Sequence, residues 1–394
     1  VKILEKYDRR IWVIFMARIV TAFGFSVAMP YLSLYFHTEL GVPMKIVGMI
    51  LMISAATGAL AQIWGGEISD RLGRKSIMVV SMIVRGFAFL AVSYFIHVRS
   101  HYLIIALFLV FNSFIGSLFM PASNAMIADV ADAKVRVEAY GLIRIGANAG
   151  WAIGPALGGF LAGFSYASLF VITALTCFGS AVLIRFFTDE SLAKDGTEKP
   201  GFRDILTIMK DRGFVKLCLY SAIIFIVMGQ LISPLSVYGV DRVGISKVEL
   251  GYLFSLNGLL IVLLQYPVTR IIKQRHTVGF LVAGCLLYGL GYFSVGFGRS
   301  MTALMVSILV VTLGEMIVSP TSTGLASRFA PENRRGRYMG FFGLSEMLGW
   351  SLGPFVGGML LDIFPGRSIF IWSVIMALSL VAAYGFSTLR RLIK

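Results

Sequence analysis

The stretch Gly150-Trp-Ala-Ile-Gly154-Pro155-Ala-Leu-Gly158-Gly159 returns 199 residues later as Gly349-Trp-Ser-Leu-Gly353-Pro354-Phe-Val-Gly357-Gly358. The same offset carries Pro121 onto Pro320, Ser123 onto Ser322, Arg136 onto Arg335 and Gly141 onto Gly340. Aligned without gaps, 121–161 and 320–360 share 12 identities in 41 positions. One constant offset that includes a Trp and an Arg is not an accident of glycine-rich composition, so the chain is read as two related halves. In a membrane, parallel repeats of this kind place a site at their interface near the midplane. Small residues four apart let helix backbones approach closely, and proline removes a backbone donor and permits a bend. Gly150, Gly154, Pro155 and Gly158, with Gly349, Gly353, Pro354 and Gly357, are therefore read as packing and bending elements. Packing alone is the competing reading.

Outward from this repeat, the composition decides the solvent. The chain has 394 residues, 57% of them hydrophobic and 14% charged, with a mean hydropathy of +0.84. A soluble domain carries about a quarter charged residues, and one this apolar could not cover its surface with polar groups. The surface faces lipid, which excludes secreted, nuclear and ordinary cytosolic enzymes. Apolar runs of spanning length lie near 11–36, 46–68, 76–97, 102–128, 137–164 and 166–188, and again near 214–240, 248–272, 277–298, 302–327, 337–362 and 367–388. They are too long, and alternate too little, for barrel strands. The expected fold is an all-α membrane protein with twelve transmembrane helices in two six-helix bundles, 1–188 and 214–394. The polar stretch 189–213 joins them, and Phe202, Ile205, Leu206 and Met209 in it follow the spacing of a short amphipathic helix on the inner membrane surface. A charged N-terminus runs straight into span 1 with no small-residue cleavage site, so that span is expected to be retained.

The net charge of +15 reads as topology, not as nucleic-acid binding. With both termini inside, 26 of the 35 Lys and Arg fall on inner segments, six on outer loops (Lys45, Arg99, Arg242, Lys247, Arg299 and Arg367) and three within spans. Cytoplasmic loops collect such cations, which sets both termini in the cytoplasm of a cell-membrane protein. Cys177, Cys218 and Cys285 all fall in spans without metal spacing, so no metal, disulfide or cofactor is expected.

Between spans 2 and 3 runs Gly66-Glu-Ile-Ser-Asp70-Arg71-Leu-Gly73-Arg74-Lys75. Gly73-Arg-Lys-Ser is not a Walker loop, because no Gly directly precedes the Lys, so ATP is not the expected energy source. This decapeptide resembles the signature loop of the major facilitator superfamily. A decayed copy, Gln265 to Lys273, sits one offset later, and the Gly150–Gly159 element resembles the span-5 motif of proton-driven multidrug exporters of that family. The resemblance implies that Gly66, Asp70, Arg71, Gly73 and Arg74 form an inner-side latch. It pairs Arg74 with the acid at the end of span 4, here Asp129, and sets Asp70 against the start of span 11. A basic loop that only fixes topology is the alternative. One departure matters: exporters of this type carry an Arg in span 4 four residues before a Gly, whereas here Asn112 precedes Gly116, so a charged relay role does not transfer.

A charge in mid-span costs about 2.5–3.5 kcal/mol on insertion scales, so each needs a reason. Glu315 in span 10 and Glu346 in span 11 are the expected proton-coupling acids, since burial disfavours the charged form of a carboxyl. A structural Glu paired with an Arg of the other half is the competing reading for Glu315. Asp362, near the outer end of span 11, is read as solvated. Arg18, Tyr31, Asn112, Arg144, Asn148, Tyr220 and Gln230 are the candidate lining of a substrate cavity. Arg85 lies on a span peripheral in the family and is expected to sit in a structural ion pair. The expected function is secondary transport, a proton-coupled efflux of lipophilic or cationic small molecules by alternating access. The expected partners are substrate, protons and membrane lipid, with no nucleic acid, and the expected state is a monomer. A metabolite or sugar carrier, a symporter included, and a lipid translocase or transport-inactive sensor are the alternatives. No nucleophile triad or phosphate loop supports an enzyme.

Overall fold

The computed structural model describes residues 7–132, 136–191, 209–273, 277–331 and 335–389. Among them are fourteen α-helices and no strand. In the first half these are α1 (Arg9–Leu34), α2 (Met44–Leu72), α3 (Arg74–His97), α4 (Tyr102–Ser117), α5 (Phe119–Val130), α6 (Arg136–Ala162) and α7 (Tyr166–Phe187). In the second they are α8 (Arg212–Met228), α9 (Pro234–Tyr238), α10 (Lys247–Lys273), α11 (Thr277–Val295), α12 (Met301–Phe329), α13 (Arg335–Ile363) and α14 (Ser368–Thr388). Asp8 caps α1, accepting from the Arg10 backbone at 2.8 Å and from its Nε at 3.0 Å. The Arg10 guanidinium holds the Asp8 carboxyl below its usual range.

The fourteen helices among the described residues are consistent with twelve passes, two of them broken. α4 and α5 form one pass, interrupted at Leu118; Pro121 has no N–H to offer the Ser117 carbonyl. α8 and α9 form another, interrupted at Gly229–Ser233, and α9 restarts with Pro234 in its first turn, where no intrahelical donor is needed. Nine helices among the described residues are long and apolar enough to cross a membrane by length and composition. The three remaining passes are the broken α8/α9 and the glycine-rich α6 and α13. Of the expected amphipathic helix, Phe202, Ile205 and Leu206 lie outside the described residues. The signature "loop" between spans 2 and 3 is mostly helix: α2 runs on to Leu72, and Gly73 alone breaks the chain, at φ 97°.

Contacts divide the chain into two units. Unit 1 comprises Val1–Val42, Ile53–Asp195 and Ser246–Val262; unit 2 comprises Pro43–Met52, Gly196–Ile245 and Leu263–Lys394. In unit 1, α1 packs on α6 and α7, and α3 on α7 and α4. In unit 2, α8 packs on α13 and α14, and α11 on α14 and α12. Each unit thus repeats the same helix pairs, as the 199-residue offset requires.

The glycines explain the tightest of these pairs. A Cβ on Gly150 would lie 2.6 Å from the Phe23 nitrogen, and one on Gly154 2.7 Å from the Phe23 oxygen. In unit 2 a Cβ on Gly349 would lie 2.5 Å from the Ala222 oxygen, and one on Gly353 2.8 Å from the Gly229 Cα. Backbone cannot step aside from such a contact. A polar tie pins each pair: Tyr31 donates to the Pro155 carbonyl at 2.6 Å, and Gln230 donates to the Gly353 carbonyl at 2.9 Å. Tyr31 and Gln230 are one offset apart. A second pair is also tied twice, by Ser93 to the Ala167 oxygen (2.8 Å) and by Ser379 to the Cys285 oxygen (2.6 Å).

The two exchanged segments are held by polar contacts inside their own units. Asp362 accepts from the Met44 and Lys45 amides at 3.0 and 2.7 Å, capping the start of α2. It is therefore a helix cap and not merely a solvated acid, because the first amides of a helix lack intrahelical partners. Lys247, at the start of α10, reaches Glu39 at 3.3 Å and lies 4.3 Å from the Tyr166 ring centre.

Gly154→Leu is expected to lower stability by about 1–3 kcal/mol or more, since the inserted side chain meets backbone. Tyr31→Phe is expected to cost about 1 kcal/mol, one net hydrogen bond. Thermal unfolding of the purified protein in detergent checks the order; an unshifted Gly154→Leu would contradict the close approach.

Candidate functional site

At one end of unit 1 the signature residues converge. The Arg74 guanidinium, only 11% exposed, pairs with Asp70 and lies 3.6 Å from Asp129. It also donates to Ser69 Oγ at 2.8 Å. Asp129 in turn accepts from Ser191 Oγ at 2.8 Å. Glu190 completes the cluster, accepting from the Arg74 and Lys75 amides at 2.9 and 3.1 Å. A carboxylate at the N-terminus of α3 is electrostatically favoured. Gly73 is favoured by its positive φ of 97°, and a Cβ there would displace the Glu190 carboxylate. Arg71 turns away to an exposed pair with Glu67 at 2.6 Å. Around Gly66 there is open space for a Cβ. Glu190 and Ser191 were not legible as members; they follow span 6, more than 110 positions from Arg74, and only folding brings them there.

Deeper in unit 1 lie two cations. Arg85 on α3 donates to Asn112 Oδ1 at 3.1 Å, and Asn112 returns a bond to the Arg85 carbonyl at 3.2 Å. The Arg85 guanidinium lies 5.5 and 5.4 Å from the Phe25 and Phe89 ring centres, and a Cβ on Gly116 would lie 2.8 Å from its Cζ. Among the described residues Arg85 makes no salt bridge. The expected structural ion pair is thus corrected: the partner is a neutral amide, with aromatic faces beside it. Arg85 from the neighbouring helix delivers its charge to the surface of span 4, where Asn112 and Gly116 stand. Arg18 on α1 lies within electrostatic reach of Arg85, and its Nε is buried without a hydrogen bond. Arg144 is exposed on α6 and Asn148 half-buried.

Three other cavity candidates are packing residues in their own units. Tyr31 and Gln230 are fully buried and donate to the interhelical ties described above, and among the described residues Gln230 Oε1 has no hydrogen-bond partner. Tyr220 packs on α14, its ring against Gly385 and 6.1 Å from Phe386.

In unit 2, Glu315 sits half-buried near the middle of α12. It acts electrostatically on Tyr288 and Tyr292 of α11. These tyrosines are buried and stack on each other at a ring separation of 6.1 Å, and Tyr292 stacks on Trp372 at 5.6 Å. The next carbonyl, Met316, accepts from Gln265 of α10 at 3.1 Å, a neighbour that the sequence showed only as part of the decayed loop copy. Glu346 is half-buried on α13. Among the described residues no group of His, Cys, Asp and Glu could hold a metal ion.

The helical repeat, the glycine-seamed pairs and the Arg74 cluster now stand together. The profile of the Major Facilitator Superfamily matches residues 14–354 and 280–392. The chain belongs to that family. It is 30% identical over 365 residues to a Na(+), Li(+), K(+)/H(+) antiporter of Planococcus maritimus, covering 84% of each chain. It is 27% identical over 361 residues to the multidrug resistance protein MdtH of Edwardsiella ictaluri, covering 89% of this chain and 86% of that one. In fold it is similar to the nucleoside transporter NupG, with a TM-score of 0.82 at 12% identity over 98% of this chain and all of the other. Members of this family are transporters, not enzymes, and the chain is a multi-pass membrane transporter of small molecules.

Asn112→Leu is expected to destabilise the protein by about 1–3 kcal/mol, because it strands the Arg85 guanidinium in the bundle. The double variant Asn112→Leu/Arg85→Met is expected to recover part of that loss. Thermal unfolding of the four-membered cycle reads the coupling; strictly additive losses would show that the two side chains do not act together.

Proposed function

We propose that the chain is a proton-coupled antiporter that exports lipophilic or cationic small molecules by alternating access. The observation that carries this reading is Glu315, an acid half-buried at mid-length in an apolar helix beside two buried tyrosines. Such a residue is too costly to keep without a function. A carboxyl there takes up a proton from one side and loses it to the other, and Glu346 is the second acid placed to share the work. One pH unit contributes about 1.4 kcal/mol and one charge moved through 100 mV about 2.3 kcal/mol, together enough for a several-hundred-fold gradient of a neutral substrate. The names of two relatives, a cation/proton antiporter and a multidrug resistance protein, support the same reading.

In this scheme the halves 1–188 and 214–394 alternate about the linker 189–213, and the Arg74–Asp70–Asp129 cluster, with Glu190 on the α3 amides, releases and re-forms during the cycle. The protein works as a monomer in the cell membrane, with both termini in the cytoplasm. A second reading is a metabolite carrier of the same fold: unit 1 carries two mid-span guanidiniums, Arg18 with its Nε buried and Arg85 on Asn112, and fixed cations suit an anionic substrate.

Glu315→Gln is expected to abolish uphill transport driven by an imposed pH gradient in proteoliposomes while keeping part of the substrate exchange. Unchanged uphill transport would remove Glu315 from the mechanism. Inside-out vesicles supply the direction: proton-driven uptake into them supports export, and proton-driven release from them supports the symport alternative.

A further inference from the structure

Unit 2 has a cavity of about 690 Å³ at one end, walled by three turns. Arg242 comes from the π-turn after α9, Arg299 from the turn between α11 and α12, and Arg367 from the turn between α13 and α14. All three are exposed, and among the described residues none makes a salt bridge. No acidic residue lines the cavity among the described residues; Asp241 precedes Arg242 in the chain but is not part of the wall. The charge count assigns all three arginines to the outer side, so half of the six outer cations gather around one hollow.

We propose that this cavity binds a phosphate-bearing anion, held by Arg242, Arg299 and Arg367. Three like charges drawn around one space repel each other, and a bound anion relieves that cost. Guanidiniums match phosphate oxygens in a two-pronged geometry. A further set of donors points the same way. α14 is 21 residues long and starts at the cavity with Ser368, Ile369 and Phe370; its first turn has no acid and its N-cap residue, Arg367, makes no side-chain cap. These free amides and the helix dipole add to the positive field. Ile369 and Phe370, about half exposed, give the basic rim an apolar flank. The fold does not demand the cluster: one offset earlier the three positions are Pro43, Ser100 and Ser168, with Arg99 the one adjacent cation. The phosphate belongs either to a lipid headgroup, whose chains would run over Ile369 and Phe370, or to a free soluble phosphate.

Thermal unfolding of the full-length protein in neutral detergent tests this with three probes: phosphatidylglycerol, diacylglycerol without a headgroup, and inorganic phosphate. A stabilising shift with phosphatidylglycerol but not diacylglycerol is expected for a headgroup site. A shift with inorganic phosphate as well assigns the site to soluble phosphate. In either case Arg242→Gln/Arg299→Gln/Arg367→Gln is expected to weaken the probe's apparent affinity at least tenfold, and Arg299→Gln alone by several-fold, which keeps the test alive should the triple variant unfold. The double variant Lys45→Gln/Arg99→Gln removes two other outer charges and is expected to leave the affinity unchanged. No shift with either phosphate probe, an equal shift with diacylglycerol, retained affinity in the arginine variants, or an equal loss in the control would each overturn the proposal.

Discussion

The structure depends on bare backbone meeting bare backbone. α6 lies against α1, and α13 against α8, at distances that leave no room for a Cβ at Gly150, Gly154, Gly349 or Gly353. Lipid offers no hydrophobic drive for helices to associate, so van der Waals contact and interhelical hydrogen bonds must supply it. The glycines supply the first. Tyr31 on the Pro155 carbonyl and Gln230 on the Gly353 carbonyl supply the second. Different side chains do the same job in the two halves, so the constraint is the donated hydrogen bond and not the residue type.

Once these seams are fixed, the charged groups fall into separate neighbourhoods. Unit 1 holds cations in its interior, with Arg85 held by an amide and two aromatic rings and the Arg18 Nε buried. Unit 2 carries the mid-span acids Glu315 and Glu346, both half-buried. A guanidinium cannot shed its charge in a protein, whereas a carboxyl can. The mid-span arginines therefore suit fixed electrostatics, and the mid-span acids suit proton exchange.

The Arg74 cluster shows how much of a site a motif conceals. Its resemblance pointed to Asp70, Arg74 and Asp129, and the structure brings these three together. It gave no hint of Glu190 and Ser191, which reach the cluster from the end of α7. Asn112 shows the opposite case. Seen in the chain it is a missing arginine; seen in space it is the partner of an arginine one helix away. Asp362 looked solvated because it lies near a span end, yet that position lets it cap α2.

The sequence by itself determined the solvent, the two-half repeat, the helical passes and the close-packing role of the glycine elements. These follow from composition, hydropathy and a constant offset, all local or additive along the chain. It also marked the costly charges, because an ionisable residue in an apolar run stands out wherever it points. Only the tertiary structure decided which way those side chains face and what they meet. Arg85 on Asn112, Glu190 on the α3 amides, Gln265 on the Met316 carbonyl, and Tyr31 and Gln230 buried in seams are all pairings between elements. One span can turn about its axis without changing its hydropathy, so its partners are fixed by packing and not by periodicity.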